Sequence, residues 1–407
     1  MVQNVLEIPE LRLMVIDFLR GDGKALLSAM LVNKTWKAEV IGILWKRADV
    51  QDLAPIFPLN RGQYAQCIQQ LLVDNNVPVS THVELNYYNL EFPRLKTLLF
   101  VDPEDPFEIN EEYSLAQYLS PNLREIIYNV RTLGEDVYYL LETCCPRLEK
   151  AEVWSDYYVE SMISFLQNCT SLKSLHFSGN LKEPLDNRLL SCLARRQGLE
   201  CLHMIPNVNS ENVDKMFEGT AVPFRDVKDL RIGTVSSIVP KLMNNMEMSM
   251  PGLRFFDLWI EDTTISPLLY VSWLSNLRKL TITCTEKSAE WGARGYVALK
   301  NLTNLNALHI YSHYLTPHYC EDLTNDDFNT MFKDMKQLEW LTFQVSCPLI
   351  TTDALTSLGE SCRHLAYCEM PASFDFADWW DVTSHPLFPE LRELILGRPV
   401  DREEGSW

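Results

Sequence analysis

From about Leu95 onward the apolar positions fall into one recurring figure: an aliphatic residue, two others, a second aliphatic, one other, and a third. Leu172-Lys-Ser-Leu-His-Phe177 is the plainest copy. Leu95-Lys-Thr-Leu-Leu-Phe100, Leu253-Arg-Phe-Phe-Asp-Leu258, Leu277-Arg-Lys-Leu-Thr-Ile282 and Leu391-Arg-Glu-Leu-Ile-Leu396 have the same form. The first aliphatic recurs at positions 95, 123, 148, 172, 199, 227, 253, 277, 305, 338, 365 and 391. The mean spacing is about 27 residues, a period that signals stacked repeats. Within each copy a strand's alternation turns the second and third aliphatics inward and their neighbours outward. The stretches that follow predict helices: Val137-Tyr-Tyr-Leu-Leu141 after Asp136, Met162-Ile-Ser-Phe-Leu166 after Glu160, and Thr352-Asp-Ala-Leu-Thr-Ser-Leu358. Strand and helix therefore alternate, and each pair leaves an apolar face for the next pair to cover.

Three residues ahead of the first leucine lies a second periodic slot. It holds Cys145, Cys169 and Cys362 in three copies, and Phe92, Phe224, Met250, Leu274, Leu302, Met335 and Phe388 elsewhere. A position shared by Cys, Phe, Met and Leu is a buried apolar one. The eleven cysteines form no CxxC pair, so neither zinc nor thioredoxin chemistry has support in their spacing. Structural free thiols imply a reducing compartment, the cytoplasm or nucleus. The period and this cysteine-bearing repeat resemble the leucine-rich repeats that accompany F-boxes. The fold class expected is α/β: a leucine-rich-repeat solenoid over residues 81–400, with about twelve βα repeats and parallel strands on its concave face.

Outward strand positions would line that concave face. Large aromatics there are the usual anchors of a protein interface, and they gather in the later repeats. Trp154, Phe255, Trp259, His309, Tyr311, Trp340 and Tyr367 are the candidate partner-binding residues.

The first fifty residues have a different rhythm. Pro9 suits a first helical turn, and Leu11, Met14, Val15, Phe18 and Leu19 follow at helical spacing. Gly21-Asp-Gly23 breaks the helix. Leu26, Leu27, Met30 and Leu31 mark a second, and Trp36, Val40, Ile43 and Leu44 a third. Leu13, Ile16, Val32 and Ile41 fall off these stripes, so the helices are apolar on more than one face. About forty residues cannot hide that much apolar surface internally, so a neighbouring domain or a partner must cover it.

Ile8-Pro9-Glu10-Leu11, then Leu26-Leu27-Ser-Ala-Met-Leu31-Val32-Asn-Lys34-Thr-Trp36, then Leu44-Trp45 resembles the F-box, over residues 5–47. Three details depart from that family's pattern. Ile8 replaces its leading Leu, the spacer before Glu10 is absent, and Asn33 stands in its Cys position. The resemblance implies a three-helix F-box over residues 1–48 that docks on the Skp adaptor of a cullin–RING ubiquitin ligase. Carried over by position, Pro9, Leu11, Val15, Leu19, Leu27, Leu31, Val32 and Trp36 are the candidates for adaptor contact or its support. The plainer alternative is a helical cap on the open end of the repeat array, in a ligase-independent scaffold.

Residues 49–80 read as a helical connector, with Tyr64, Ile68, Leu71 and Leu72 at helical spacing, and His82-Val-Glu-Leu85 as an atypical first strand. Asp401–Trp407 reads as a tail.

Charge narrows the partners. The net charge is −19. Residues 1–50 hold seven basic and six acidic side chains, so the acidic excess lies beyond them. Such a field disfavours nucleic acid and anionic membranes and attracts a basic protein. No window reaches the length of a membrane span, and Glu7, Glu10 and Asp17 are unlike a secretory leader. Gly21-Asp-Gly23-Lys24 lacks the form of a phosphate loop. There is no GxSxG or HExxH motif, so no enzyme activity and no cofactor are expected. The long interval from 305 to 338 carries His309, His313, His318, Cys320, Glu321 and Asp322 without a familiar ligand spacing, and reads as a solvated loop rather than a metal site. Asp102–Glu112 reads as an acidic surface turn. Phe374–Asp381, mixing aromatics with acids, reads either as a rim for a basic peptide or as packing on the last repeat.

The F-box and repeat resemblances together imply the substrate receptor of a Skp–cullin–F-box ligase. It would bind the Skp adaptor and cullin core at one end and a protein target on the repeats.

Overall fold

The computed structural model describes residues 8–74, 90–101, 115–129, 136–154, 159–178, 185–219, 222–285, 291–312, 317–371, 374 and 386–397. His82–Leu85, Asp102–Glu112, His313, most of Phe374–Asp381 and the tail lie outside these residues. The chain divides into two compact units, Met1–Lys173 and Ser174–Trp407. No helix of the described residues is long and apolar enough to cross a membrane.

The first unit begins with α1 (Pro9–Phe18), α2 (Gly23–Met30) and α3 (Lys34–Leu44). Pro9 sits in the first turn of α1, where its missing N–H costs nothing. Asp22 caps α2, accepting from the N–H groups of Lys24 and Ala25 at 3.0 Å each. Gly21–Lys24 is therefore a capping turn. Asn33 caps α3 by accepting from the Trp36 N–H at 3.0 Å, which gives a physical reason for Asn at that position.

Five parallel strands follow in chain order: Arg47–Asp49, Gln70–Asp74, Thr97–Val101, Glu125–Asn129 and Lys150–Trp154. Two features correct the connector reading. Leu71 and Leu72 lie in a strand, not on a helix, and the helix before them covers only Pro58–Ala65. Ile68, Leu71 and Val73 are all fully buried and repeat the aliphatic figure one period ahead of Leu95. Buried Arg61 closes the connector. Its Nε donates to the carbonyls of Leu53 and Ile56 at 3.0 Å, and its Nη2 donates to Ala54 at 3.1 Å. A charge is stable there because three backbone carbonyls accept from it.

Among the described residues of the second unit nine strands run parallel in chain order, from Ser174–Ser178 to Glu393–Leu396. Helices Asn187–Arg195, Ser210–Phe217, Val239–Ser249, Asn325–Phe332 and Thr352–Ser361 lie in the crossovers, as parallel pairing requires. The last is capped by Thr351, whose side chain accepts from the Asp353 N–H at 3.4 Å.

One device recurs at the repeat junctions of both units. The N–H of the first aliphatic donates to the carbonyl of the slot residue three positions earlier, as in Leu95 to Phe92, Leu148 to Cys145, Leu338 to Met335 and Leu365 to Cys362 at 3.0–3.1 Å. The slot side chains Phe92, Cys145, Cys169, Phe224, Met250, Leu274, Leu302, Met335 and Cys362 are buried. A strand then starts two residues after each of the twelve aliphatics. Leu199 is preceded instead by Arg196, and there Gly198 takes φ 75°, a conformation that strains any residue with a Cβ. Phe224 holds φ 53° despite its side chain. Its ring is buried and its N–H donates to Ala194 at 2.9 Å, which offsets the strain.

Inward residues such as Leu98, Leu175, Leu230, Leu258, Leu280, Leu308 and Leu341 are essentially inaccessible. Each contributes roughly 1.5–3 kcal/mol by burial. Glu393–Leu396 ends the described array with Leu394 and Ile395 exposed.

The long interval after Leu305 is not a solvated loop. His318–Tyr319 pairs with Val345–Ser346 in a second, two-stranded parallel sheet. His318 is buried, with Nε2 2.8 Å from the Tyr311 carbonyl and its ring stacked on Trp291 at 4.7 Å. Cys320 is also buried and donates to Asp322 at 3.3 Å.

Candidate functional site

Two surfaces emerge from this framework, one in each unit. The first is the outer face of α1 and α2. The helical core is made by Ile16, Leu26, Ala29, Trp36 and Val40, with Leu19, Met30, Ile43 and Leu44 packed against it. On α1 the inward stripe is thus Arg12, Ile16 and Leu19, not Leu11, Met14, Val15 and Phe18. The cause is a charge. Arg12 is buried and forms a two-point ion pair with Glu39 of α3, Nε and Nη2 meeting its two carboxylate oxygens at 2.5 and 2.6 Å. That pairing turns the Arg12 face toward α3 and the longer apolar stripe toward water.

As a result Leu11, Leu13, Met14, Val15 and Phe18 are exposed on α1, and Leu27, Leu31 and Val32 on and just after α2. Phe18 is 89% exposed and Leu31 87%. Clustered large apolar side chains left in water mark an interaction surface. Six of the eight adaptor candidates, Pro9, Leu11, Val15, Leu27, Leu31 and Val32, lie on the outside. Leu19 is half-buried, and Trp36, at 6% exposure, belongs to the core. Trp36 can therefore only support such a surface; it cannot touch a partner.

The second surface is the outward face of the strands in the Ser174–Trp407 unit. Phe255 and Trp340 stand out from it at 41% and 45% exposure. Trp340 stacks on Tyr367, with ring centroids 4.4 Å apart and planes 17° from parallel. Register explains the stack, because the two residues pair directly across neighbouring strands. The Tyr367 hydroxyl donates to Glu369 at 2.9 Å, and Gln344 donates to the other oxygen of Glu369 at 3.1 Å. Burial and the neighbouring Glu369 push the Tyr367 hydroxyl above its ordinary pKa. The pair is thus a fixed aromatic platform edged by a carboxylate.

His309 is the correction on this face. It is buried, its Nδ1 lying 3.2 Å from Thr342 Oγ1 and 3.3 Å from the Tyr311 hydroxyl. The Tyr311 ring lies parallel to it at 5.6 Å. Strand alternation gives the side a residue faces but not whether larger neighbours close over it. Tyr311 and Trp259 are half-buried. Asp257, beside Trp259 in the same strand, accepts from Arg231 Nε at 2.6 Å, and its burial raises its pKa against the pull of that cation. Trp154 lies in the first unit, and its side chain falls outside the described residues.

Burial, reinforced by nearby Lys279, lowers the His309 pKa from 6.5 to about 4. The unfolded chain therefore takes up this proton near pH 6.5, whereas the folded chain resists until about pH 4. The stability that neutral His309 contributes is complete above pH 6.5 and is lost as the pH falls toward 4. Its full size is about 3 kcal/mol, and about 2 kcal/mol once solvent at the edge of the ring is allowed for. Denaturant unfolding across that window should show the loss, and His309→Gln should flatten it. An unchanged slope in the variant would contradict the assignment.

No protein-family model matches the chain, and no curated protein sequence matches it. The architecture places it in the α/β class, with parallel strands joined through helical crossovers.

Proposed function

We propose that the protein is an F-box/leucine-rich-repeat substrate receptor of a Skp–cullin–F-box ubiquitin ligase. Helices α1–α3 serve as the F-box and dock the Skp adaptor. The strand–helix repeats serve as a leucine-rich-repeat solenoid whose outward strand face holds a protein target. The observation that carries this reading is the exposed apolar stripe on α1 and α2, because it lies on the segment with the F-box-like sequence. A cap whose only role was to seal the repeat array would turn that stripe toward the array.

The receptor contributes position and no bond-forming chemistry, holding the target near a ubiquitin-charged enzyme. Trp340, Tyr367 and Phe255 supply the aromatic anchors, and Glu369 and the overall acidity favour a target rich in Lys or Arg. A cation over the exposed Trp340 face would gain about 0.5–2 kcal/mol.

The test is a binding experiment between the full chain and a purified Skp adaptor. A one-to-one complex that survives gel filtration, with calorimetric affinity of about 1 µM or tighter, is the expected result. Two proteins that elute apart, with no heat of binding, would overturn the proposal.

A further inference from the structure

The outward strand face of the Ser174–Trp407 unit carries a second cluster, and its chemistry differs from that of an aromatic platform. His176 and His203 pair across neighbouring strands, and so do Cys201 and Asp229. Cys201 and His203 lie two residues apart on one strand, so both point outward. Four potential metal ligands thus occupy adjacent outward positions on three strands.

Their ligand atoms converge. Cys201 Sγ lies 3.3 Å from His176 Nε2 and 3.4 Å from His203 Nε2. The ligand atoms of His176, Cys201 and His203 all lie within 4.8 Å of one another, and all three residues are half-buried. The two imidazoles stack with centroids 3.9 Å apart. Asp229 Oδ1 stands 3.0 Å from His203 Nε2. Zinc bonds of about 2.0–2.1 Å to nitrogen and about 2.3 Å to sulfur place tetrahedral N and S ligands about 3.6 Å apart. The observed separations lie close to that value.

We propose that His176, Cys201 and His203 bind one divalent metal ion of the zinc class, with the Asp229 carboxylate beside His203. The donor set suits the ion: two imidazole nitrogens and one thiolate are ligands that zinc accepts. The charges balance as well, the thiolate and the neighbouring Asp229 carboxylate offsetting a dication. Binding forms two metal–nitrogen bonds and one metal–sulfur bond, each replacing a bond to a water of the hydrated ion. The proton of the Cys201 thiol, and any proton on the histidines, passes to the buffer. Arg231, next to His203 on the following strand, is held by Asp257, which keeps a competing cation in its own ion pair. The three protein ligands tie together strands Ser174–Ser178 and Cys201–Val208. None of this depends on an F-box or a ligase partner.

Spacing hides such a site. His176 lies one repeat period from His203, so no short motif connects it to Cys201 and His203; only the parallel register brings it beside them.

The experiment is cobalt substitution of the full chain, stripped of metal under reducing conditions. One equivalent of Co²⁺ should produce visible bands of tetrahedral cobalt and a thiolate-to-cobalt charge-transfer band, both displaced by one equivalent of Zn²⁺. Cys201→Ser should remove the charge-transfer band. His176→Ala and His203→Gln should each weaken Zn²⁺ at least ten-fold in competition with a chromogenic chelator, with circular dichroism verifying the fold of every variant. If one ligand variant fails to fold, the other two decide. Absence of the charge-transfer band in the wild type, or its persistence in Cys201→Ser, would show only a hydrogen-bonded cluster and overturn the proposal. Adaptor binding is read separately, so failure of one assignment leaves the other standing.

Discussion

Leu31→Asp should abolish capture of the Skp adaptor while the chain remains folded. The side chain is 87% exposed at the C-terminal end of α2, so the free protein loses little contact when it is replaced. An acidic group near a helix C-terminus costs about 0.3–1 kcal/mol through the helix dipole, and no other large penalty applies. In the complex the same carboxylate would be sealed in an apolar interface without a partner, at a cost of several kcal/mol. Loss of an anchor at the centre of an interface adds 2 kcal/mol or more. The adaptor affinity should therefore fall by at least about a hundred-fold, or about 2.7 kcal/mol. Calorimetry for binding and urea unfolding for stability check the two halves. Undiminished affinity would remove Leu31 from the interface.

Trp36→Ala should do the reverse. The indole is buried against Ile16, Leu26, Ala29 and Val40, so truncation opens a cavity in a small core. A buried Trp or Phe cut to Ala costs about 3–5 kcal/mol, against a whole-domain stability of about 5–15 kcal/mol. The helical segment should unfold at markedly lower denaturant concentration, and adaptor binding should weaken only in proportion to the unfolded fraction. A change below about 1 kcal/mol would mean that the core does not depend on Trp36. The pair of substitutions separates contact from support among residues that the F-box resemblance groups together.

The strand–helix array was largely legible because its signal is periodic and local. The aliphatic figure locates twelve strands, and the mixed Cys, Phe, Met and Leu slot marks a buried turn, since each requires only near neighbours. What stayed hidden depends on distant residues. The facing of α1 is set by Arg12 meeting Glu39, 27 positions away, and a helix with two apolar stripes gives no local clue to which one is buried. Strands Arg47–Asp49 and Gln70–Asp74 escaped notice for a different reason. Ile68, Leu71 and Val73 fit the repeat figure, but Tyr64, Ile68, Leu71 and Leu72 also fit a helix, and the helical spacing competes with it. Partner candidates on the strands were visible as outward positions. Whether each is exposed depends on how neighbouring side chains close over it: Trp340 stands clear, while His309 is packed against Tyr311, two residues on in the same strand. The cluster at His176, Cys201, His203 and Asp229 is a product of register alone.

The central claim is that the outer face of α1 and α2 is a docking surface. Amide hydrogen exchange of the full chain, with and without saturating Skp adaptor, tests it most directly. The account predicts slowed exchange in peptides spanning Leu11–Leu19 and Leu27–Val32, with the strands of the Ser174–Trp407 unit unchanged. A complex that protects other segments and leaves those two peptides as they are in the free chain would contradict it.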